Sequence, residues 1–168
     1  MIPVERNFLE IRDIKKLRFN SSKENKFLIK KIKPDFQLNK FFYKQVGKKH
    51  RWVDRLNWTE EKWINFISNK NLETYVICES ENLIGFFELL YNPDLNETEI
   101  SYFGLLEEYI GKGIGGYALS EAIKKSFEKN IKRVWLHTCT LDHPNALKNY
   151  IARGMQVFRK ENINILDS

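Results

Sequence analysis

A glycine-rich stretch in the second half of the chain constrains the fold more than any other segment. From Gly111 the sequence reads Gly-Lys-Gly-Ile-Gly-Gly, after a segment in which Glu99 and Phe103 alternate with Ile100 and Tyr102, the two-residue period of a β-strand. Apolar residues at helical spacing follow up to residue 127. A helix that begins within glycines leaves its first amides free to face a bulky anion. The stretch therefore predicts a strand, an anion-binding loop and a helix.

Two familiar glycine motifs do not explain this loop. Gly111, Gly113 and Gly116 satisfy the dinucleotide-binding pattern, which also requires an acidic residue about 20 positions further on, and the residues around Leu136 provide none. A triphosphate-binding P-loop requires Gly-Lys followed by Ser or Thr, whereas Lys112 lies between two glycines. A third class of anion-binding loop has to be considered.

The loop resembles the acyl-CoA pyrophosphate loop of the GNAT superfamily of N-acyltransferases. The family pattern is Arg or Gln, two residues, Gly, one residue, and Gly or Ala. Gly113 and Gly115 occupy the glycine positions, and Ile110 occupies the Arg or Gln position. Ile110 departs from the pattern, so the resemblance implies a loop that binds through its backbone amides without that side chain.

A second pattern of the same family occurs further along the chain. GNAT chains tend to carry Asn-x-x-Ala-x-x-x-Tyr-x-x-x-Gly-Phe, and the matching positions here are His143, Ala146, Tyr150, Gly154 and Met155. The spacing is intact, while His143 and Met155 differ from the family residues. Histidine can donate the hydrogen bond that the family asparagine makes to CoA, and Asn145 lies close enough to substitute for it.

The resemblance implies direct attack of an acceptor amine on the thioester of acetyl-CoA, with this cosubstrate wedged between the fourth and fifth predicted strands. The acceptor is a small-molecule or peptide amine that the sequence does not identify. The residues expected to contact the cosubstrate are Phe103, Gly104, Leu105, Ile110, Gly111, Lys112, Gly113, Ile114, Gly115, Gly116, His143 and Asn145.

The proton transfers of such a reaction select two catalytic candidates. An amine with a pKa near 10.4 is neutral in only about one molecule in 10^3 at pH 7, so a general base is useful. Glu99 is the first candidate for this base, with Glu88 in reserve, although most strand carboxylates are solvated or paired. By the resemblance, Tyr150 protonates the departing CoA thiolate; a purely structural core role would explain its position on a helical face equally well.

Periodicity and turn residues predict an α/β (α+β) fold in the order β-α-α-β-β-β-α-β-α-β. The predicted strands are Val4–Ile11, Thr74–Cys78, Leu83–Tyr91, Thr98–Leu105, Arg133–Thr140 and Met155–Lys160. The predicted helices run from Asp35 to Gly47, from Thr59 to Asn69, from Ile114 to Phe127 and from Pro144 to Arg153. Residues 12–34 have no assignment. The order is similar to a whole GNAT domain, which implies a mixed, mostly antiparallel central sheet with helices on both faces.

Composition indicates one domain spanning residues 1–168. A content of 42% hydrophobic and 14% aromatic residues is enough for one full hydrophobic core, while a chain of 168 residues is too short for two such domains. The first twenty residues are rich in charge and no long apolar run follows, which predicts a cytoplasmic protein with no membrane partner. Cys78 and Cys139 are expected to be reduced thiols. His137, Cys139 and His143 do not form a convincing ligand set, so no metal is expected.

The net charge of +6 leaves other functions open. Basic residues are concentrated between Lys15 and Lys33 and between Lys40 and Arg55. They form either an ordinary solvated surface or a docking patch for anionic partners. A nucleic-acid-binding module is one alternative, although the glycine loop argues against it and no nucleic acid is expected. An acyl-CoA sensor without catalysis is another alternative.

The loop from His50 to Trp58 is rich in aromatic and charged residues, which is compatible with two roles: it lines an acceptor pocket, or it caps the core. The resemblance also allows a homodimer.

Overall fold

The computed structural model describes residues 1–165. The strands within them are β1 (Ile2–Ile11), β2 (Leu28–Lys31), β3 (Leu72–Glu79), β4 (Asn82–Asn92), β5 (Glu97–Leu105), β6 (Arg133–Cys139) and β7 (Gln156–Ile165). The helices are α1 (Phe36–Gly47), α2 (Glu60–Ile67), α3 (Ile114–Phe127) and α4 (Ala146–Ala152), with short 3₁₀ helices at Ile14–Lys16 and Glu107–Tyr109. The predicted fold class is confirmed, and every predicted helix and strand is present.

The predicted order is wrong in one place, because it lacks β2. This strand lies inside the unassigned residues 12–34 and pairs antiparallel with β3, from Leu28 opposite Cys78 to Lys31 opposite Tyr75. It is only four residues long, partly charged and at the edge of the sheet. Edge strands are often short and carry charged side chains that hinder pairing with another chain, so they show little apolar alternation. The periodicity that identified the other strands is therefore absent from β2.

The strands of residues 1–165 form one sheet in the order β2-β3-β4-β5-β6-β1-β7. Neighbouring strands are antiparallel except β5 and β6, which are parallel. One face packs against α3 and α4, where Phe87 and Ile100 meet Leu119. The opposite face packs against α1, where Phe86 meets Phe42. Helices therefore cover both faces, as predicted.

Two helix boundaries show how the sequence produces these elements. The Thr59 hydroxyl accepts a hydrogen bond from the Lys62 amide at 3.2 Å, which caps α2 as its sequence predicts. Gly47 is the last residue of α1. A Cβ built on Gly47 would lie 2.5 Å from the Trp52 Cβ. Glycine is needed at this position because the following loop folds back against the helix.

The strands β5 and β6 separate soon after they meet, and we call this opening the fork. Their ladder joins Glu97–Glu99 to residues 133–135 and extends no further in the described part of the chain. On the other side of β5, Glu88 pairs with Tyr102 and Leu89 with Ile100, so the residue between them, Ser101, forms a β-bulge. The alternation predicted for this strand is thus interrupted, and Glu99 shares a face with Tyr102.

Among the described helices, none has the length and apolar character needed to span a bilayer.

Candidate active site

A cavity of about 750 Å³ opens at the fork. One wall is β5 from Ile100 to Leu105 with the glycine loop, and the facing wall is formed by β6 and the first turn of α4. The loop between α1 and α2 contributes residues 50–54, and the side chains of β1 and β7 close the remaining side. The strands β1 and β7, the centre of the sheet and two loops therefore meet at one place.

The glycine loop has the conformation that an anion site requires. Gly111 and Gly113 adopt left-handed backbone conformations, with φ of 80° and 75°. Gly113 precedes α3 and its residue type supplies no capping side chain, so the first amides of a fourteen-residue helix have no side-chain acceptor there. Both glycines line the cavity, and without a Cβ they leave room for a pyrophosphate such as that of CoA to approach the start of α3.

The structure brings most of the expected cosubstrate contacts to this cavity. Its lining includes Phe103, Gly104, Leu105, Ile110, Gly111, Gly113, Gly115, Gly116, His143 and Asn145. Lys112 and Ile114 do not line it. The Lys112 ammonium lies 5.4 Å from the centre of the Tyr109 ring, and the Ile114 side chain is buried in the core beside Ile84. The Ile114 side chain is therefore unavailable to a ligand at the loop, whereas the Lys112 side chain is exposed to solvent beside it.

His143 occupies the family asparagine position and has one ring nitrogen engaged. Its Nδ1 accepts a hydrogen bond from the Asn145 amide at 3.1 Å, at the start of α4. An Nδ1 that accepts leaves Nε2 as the protonated nitrogen of the neutral ring, able to donate. The expectation that His143 donates a hydrogen bond in place of asparagine is therefore consistent with its contacts.

Tyr150 lines the cavity from α4 and is 8% exposed. Burial, and to a smaller extent the nearby Asp142 carboxylate, raises the pKa of its hydroxyl. The hydroxyl makes no hydrogen bond to another residue within 1–165. A tyrosine that keeps its proton at neutral pH can act as a donor to a group in the cavity.

The two carboxylates considered as general bases differ in their surroundings. Glu99 lies on the last ladder position before the fork and is absent from the described cavity lining. Burial raises its pKa, with Glu88 and Glu97 adding to the effect and the Arg55 guanidinium opposing it. Glu88 is fully buried and accepts hydrogen bonds from Arg55 at 3.0 Å and from Asn39 at 2.9 Å. Glu88 therefore serves as the partner of Arg55.

The loop between α1 and α2 both lines the cavity and packs on the core, which are the two roles that its sequence left open. Residues 50–54 line the cavity, whereas Arg55 is 6% exposed and turns into the core. Its guanidinium carbon lies 4.2 Å from the centre of the Phe66 ring and 4.4 Å from that of Tyr102. Its amide donates to the Tyr43 hydroxyl at 3.0 Å. The contacts of Arg55 thus attach the wall of the cavity to the sheet.

Sequence reasoning missed His137 as a cavity residue with chemistry of its own. Its imidazole lines the cavity from β6, beyond the fork, and packs against Phe8 with ring centres 5.5 Å apart. Surrounding protein atoms, and secondarily the Arg6 charge, lower its pKa, while Asp142, Asp54 and Glu161 oppose this shift. The neutral ring is therefore the dominant form at neutral pH. Its apolar strand context, Trp-Leu-His-Thr-Cys, contains no signal for this role.

The side chains that could bind a metal or react as a nucleophile are not arranged for either role in the described part of the chain. Among residues 1–165 no group of three or more His, Cys, Asp or Glu side chains is arranged to hold a metal ion. Cys78 and Cys139 are free thiols, and burial raises the pKa of each. Asp142 accepts hydrogen bonds from the Thr138 hydroxyl at 2.6 Å and the Cys139 amide at 3.0 Å.

Comparison with known proteins identifies the family pattern independently of this geometry. The model of the acetyltransferase (GNAT) family matches residues 34–155. No curated protein matches the chain. The solved structures it resembles include a GCN5-related N-acetyltransferase from Kribbella flavida, with a TM-score of 0.65, 14% identity, and coverage of 91% of this chain and 54% of the other. A second, from Sphaerobacter thermophilus, has a TM-score of 0.66, 15% identity, and coverage of 94% and 49%.

A third similar structure is close to this chain in length. It is an aminoglycoside acetyltransferase from an uncultured soil metagenomic sample, with a TM-score of 0.62, 14% identity, and coverage of 79% of this chain and 90% of the other. The first two relatives are longer, and the present chain spans about half of each. At 14–15% identity the three solved structures show only that the fold is shared. The match to the family model shows that this chain belongs to the GNAT family.

Proposed function

The chain belongs to the acetyltransferase (GNAT) family, and from this premise we propose that it transfers the acetyl group of acetyl-CoA to a primary amine. The observation that carries the proposal is the fork, where the glycine loop and Tyr150 line one continuous cavity. Acetyl-CoA supplies an activated acetyl thioester. Attack by the amine is direct, since the two cysteines have raised pKa values and are poor nucleophiles.

Each wall of the cavity has a role in this proposal. The backbone amides of the glycine loop bind the pyrophosphate, and residues 103–105 of β5 contact the extended part of the cosubstrate. The loop of residues 50–54 forms the acceptor side and is held in place by Arg55. Holding amine and thioester together contributes about 7–11 kcal/mol to lowering the barrier, against about 3–5 kcal/mol for a well-placed acid or base. Positioning by the cavity is therefore the larger effect.

Proton transfer requires an acceptor for the amine proton and a donor for the thiolate. The donor is Tyr150, whose buried hydroxyl keeps its proton at neutral pH. Glu99 is the predicted acceptor, and because it lies beside the cavity it acts through a water molecule. His137 is the second candidate, because it lines the cavity and is neutral at neutral pH.

Substitution of these two candidates distinguishes them. Both need their unprotonated form, and Glu99 has a pKa above its ordinary 4.5 while that of His137 lies below its ordinary 6.5. Activity is thus lost as pH falls through the pKa of either group. We expect Glu99→Gln to lower kcat by about 10^2-fold or more and to remove the decrease in activity at low pH, with CoA affinity retained. His137→Gln should keep this decrease in activity at low pH.

The measurement is the pH–rate profile of both variants between pH 4.5 and 9, with CoA affinity determined separately. A profile that Glu99→Gln leaves unchanged and His137→Gln flattens would move the role of general base to His137. The charged groups near the imidazole (Arg6, Asp54, Asp142 and Glu161) are unaltered in both variants, so they do not confuse the comparison.

The acceptor is proposed as a small-molecule or peptide amine. The acceptor side of the cavity carries charges of both signs, including Arg6 and Asp54, so its charge does not select one class. The aminoglycoside specificity of one structural relative is a property of that protein. Assembly as a homodimer stays a prediction.

Binding of the cosubstrate is tested by thermal unfolding. Acetyl-CoA or CoA at 100 times its dissociation constant should increase the free energy of unfolding by about 2.7 kcal/mol, and NAD at the same concentration should not. The reason is that the chain lacks the acidic residue that a dinucleotide-binding site requires about 20 positions after its glycines. Stabilisation by NAD alone, or by neither nucleotide, would contradict the proposed cosubstrate.

A further inference from the structure

Two basic side chains from distant parts of the sequence lie against the glycine loop. A Cβ built on Gly113 would lie 3.5 Å from Lys23 Cε, and one built on Gly116 would lie 2.5 Å from Arg153 Nη1. Lys23 precedes β2, and Arg153 follows α4 directly. Both side chains therefore lie beside the backbone at which α3 begins, next to the cavity rather than in its described lining.

The segment that carries Lys23 is fixed on α3 by specific contacts. The Asn20 amide donates to the Ser120 hydroxyl at 3.0 Å, and the Arg18 amide donates to the Arg153 carbonyl at 3.0 Å. Phe27, 6% exposed, packs in one cluster with residues 114, 117 and 118 of α3. The position of Lys23 beside Gly113 is therefore a consequence of packing on both sides of it.

These two cations lack acidic partners in the part of the chain that the structure describes. Neither forms an ion pair with a carboxylate there, and the Arg153 Nε is buried without a hydrogen-bond partner. Burial and the neighbouring Arg18 charge lower the pKa of Arg153. The nearby acid Glu121 is 3.8 Å from Lys124, with which it pairs. Like charges at the positive end of a helix are unfavourable unless an anion binds between them.

We propose that Lys23 and Arg153 bind the pyrophosphate of CoA and replace the basic or amide side chain missing at Ile110. The proposal rests on the proposed function, because it takes CoA as the ligand. Ile110 lines the cavity with an apolar side chain, so this position supplies no charged contact to a ligand. Arginine and lysine together offer several donors to phosphate oxygens, in addition to the amides of the loop.

The test is the affinity for CoA, dephospho-CoA and pantetheine, measured by calorimetry on Lys23→Met, Arg153→Met and the double variant. Charge-assisted hydrogen bonds predict about a tenfold or greater loss of CoA affinity for each single variant. The dependence of CoA affinity on salt should also decrease. Dephospho-CoA should lose affinity to the same degree, because it keeps the pyrophosphate. Pantetheine has no phosphate and should bind all variants equally.

Matched controls remove a positive charge from the same two regions. Lys26→Met lies three residues from Lys23, near Glu79, and Lys148→Met lies on exposed α4 surface. Both should bind CoA as the wild type does. Arg153→Met should not lower the thermal stability of the free protein, because it removes a partly exposed charge that has no acidic partner among the described residues. If this variant does not fold, Lys23→Met and its control Lys26→Met suffice.

The possible failures are distinguishable. Wild-type CoA affinity in Lys23→Met and the double variant would overturn the proposal while leaving the proposed function intact. Loss of affinity for CoA alone, with dephospho-CoA unaffected, would assign the contact to the 3′-phosphate and contradict the pyrophosphate contact. If the wild type does not bind CoA but binds inorganic pyrophosphate in a Lys23-dependent manner, the proposed function fails and the anion site stands.

Discussion

Replacement of Tyr150 by phenylalanine is expected to lower kcat by about 10^2- to 10^4-fold while CoA affinity stays nearly unchanged. The ring is retained, so packing between α4 and the sheet is preserved, and only the hydroxyl of this cavity-lining residue is removed. The departing CoA thiolate then leaves without a proton donor. The measurement is release of free thiol under saturating acetyl-CoA, with whichever amine the wild type acetylates.

Tyr117→Phe is the matched control for this variant. Tyr117 is a buried tyrosine on the neighbouring helix, it belongs to a different apolar cluster, and it is absent from the described cavity lining. It undergoes the same chemical change, and kcat should be retained. Full activity of Tyr150→Phe would assign Tyr150 to the core alone, which is the structural role that its sequence position also allows.

Replacement of Arg55 by methionine is expected to reduce the free energy of unfolding by about 3–5 kcal/mol. The reason is that Glu88, fully buried, would keep Asn39 as a donor but lose the guanidinium that neutralises it. Typical domains are stable by about 5–15 kcal/mol, so the variant loses a large part of its stability. Chemical denaturation of the free protein measures the change.

The double variant Arg55→Met with Glu88→Met separates a buried charge from general disruption. With both charges removed, most of the lost stability should return, because two apolar side chains can fill the site. A double variant as unstable as the single one would show that the aromatic contacts of Arg55, such as those with Phe66 and Tyr102, contribute most of the stabilisation. The folded double variant should also have a raised KM for the acceptor, since Arg55 attaches residues 50–54 to the sheet.

Local patterns in the sequence predict the fold well where one face of an element is buried. The segments of β4 and β5 alternate or run apolar because they cross the middle of the sheet, and Thr59 identifies the start of α2 because capping is local. The strand β2 lies at the edge of the sheet, and its few residues carry no such pattern. The bulge at Ser101 depends on pairing with β4, which no local pattern encodes.

The candidate site shows the same division between local and long-range information. The glycine loop and the spacing to Tyr150 are local motifs, and the structure places both on one cavity. Lys23, Arg55 and His137 carry no motif, because their positions depend on contacts with residues far away in sequence. Lys23 meets the loop through packing of residues 18–27 on α3, and Arg55 meets Glu88 across 33 residues. Tertiary contacts of this kind could only be identified from the structure.

Acetyl transfer to an amine is measured most directly with acetyl-CoA labelled with ¹³C in its acetyl group. The protein is incubated with a panel of primary amines, and free thiol and labelled products are quantified together, the latter by mass spectrometry. The expected result is one labelled N-acetyl amine for each thiol released, with both lost in Tyr150→Phe. Thiol release without a labelled amine, or no thiol release with any amine although acetyl-CoA binds, would contradict the account.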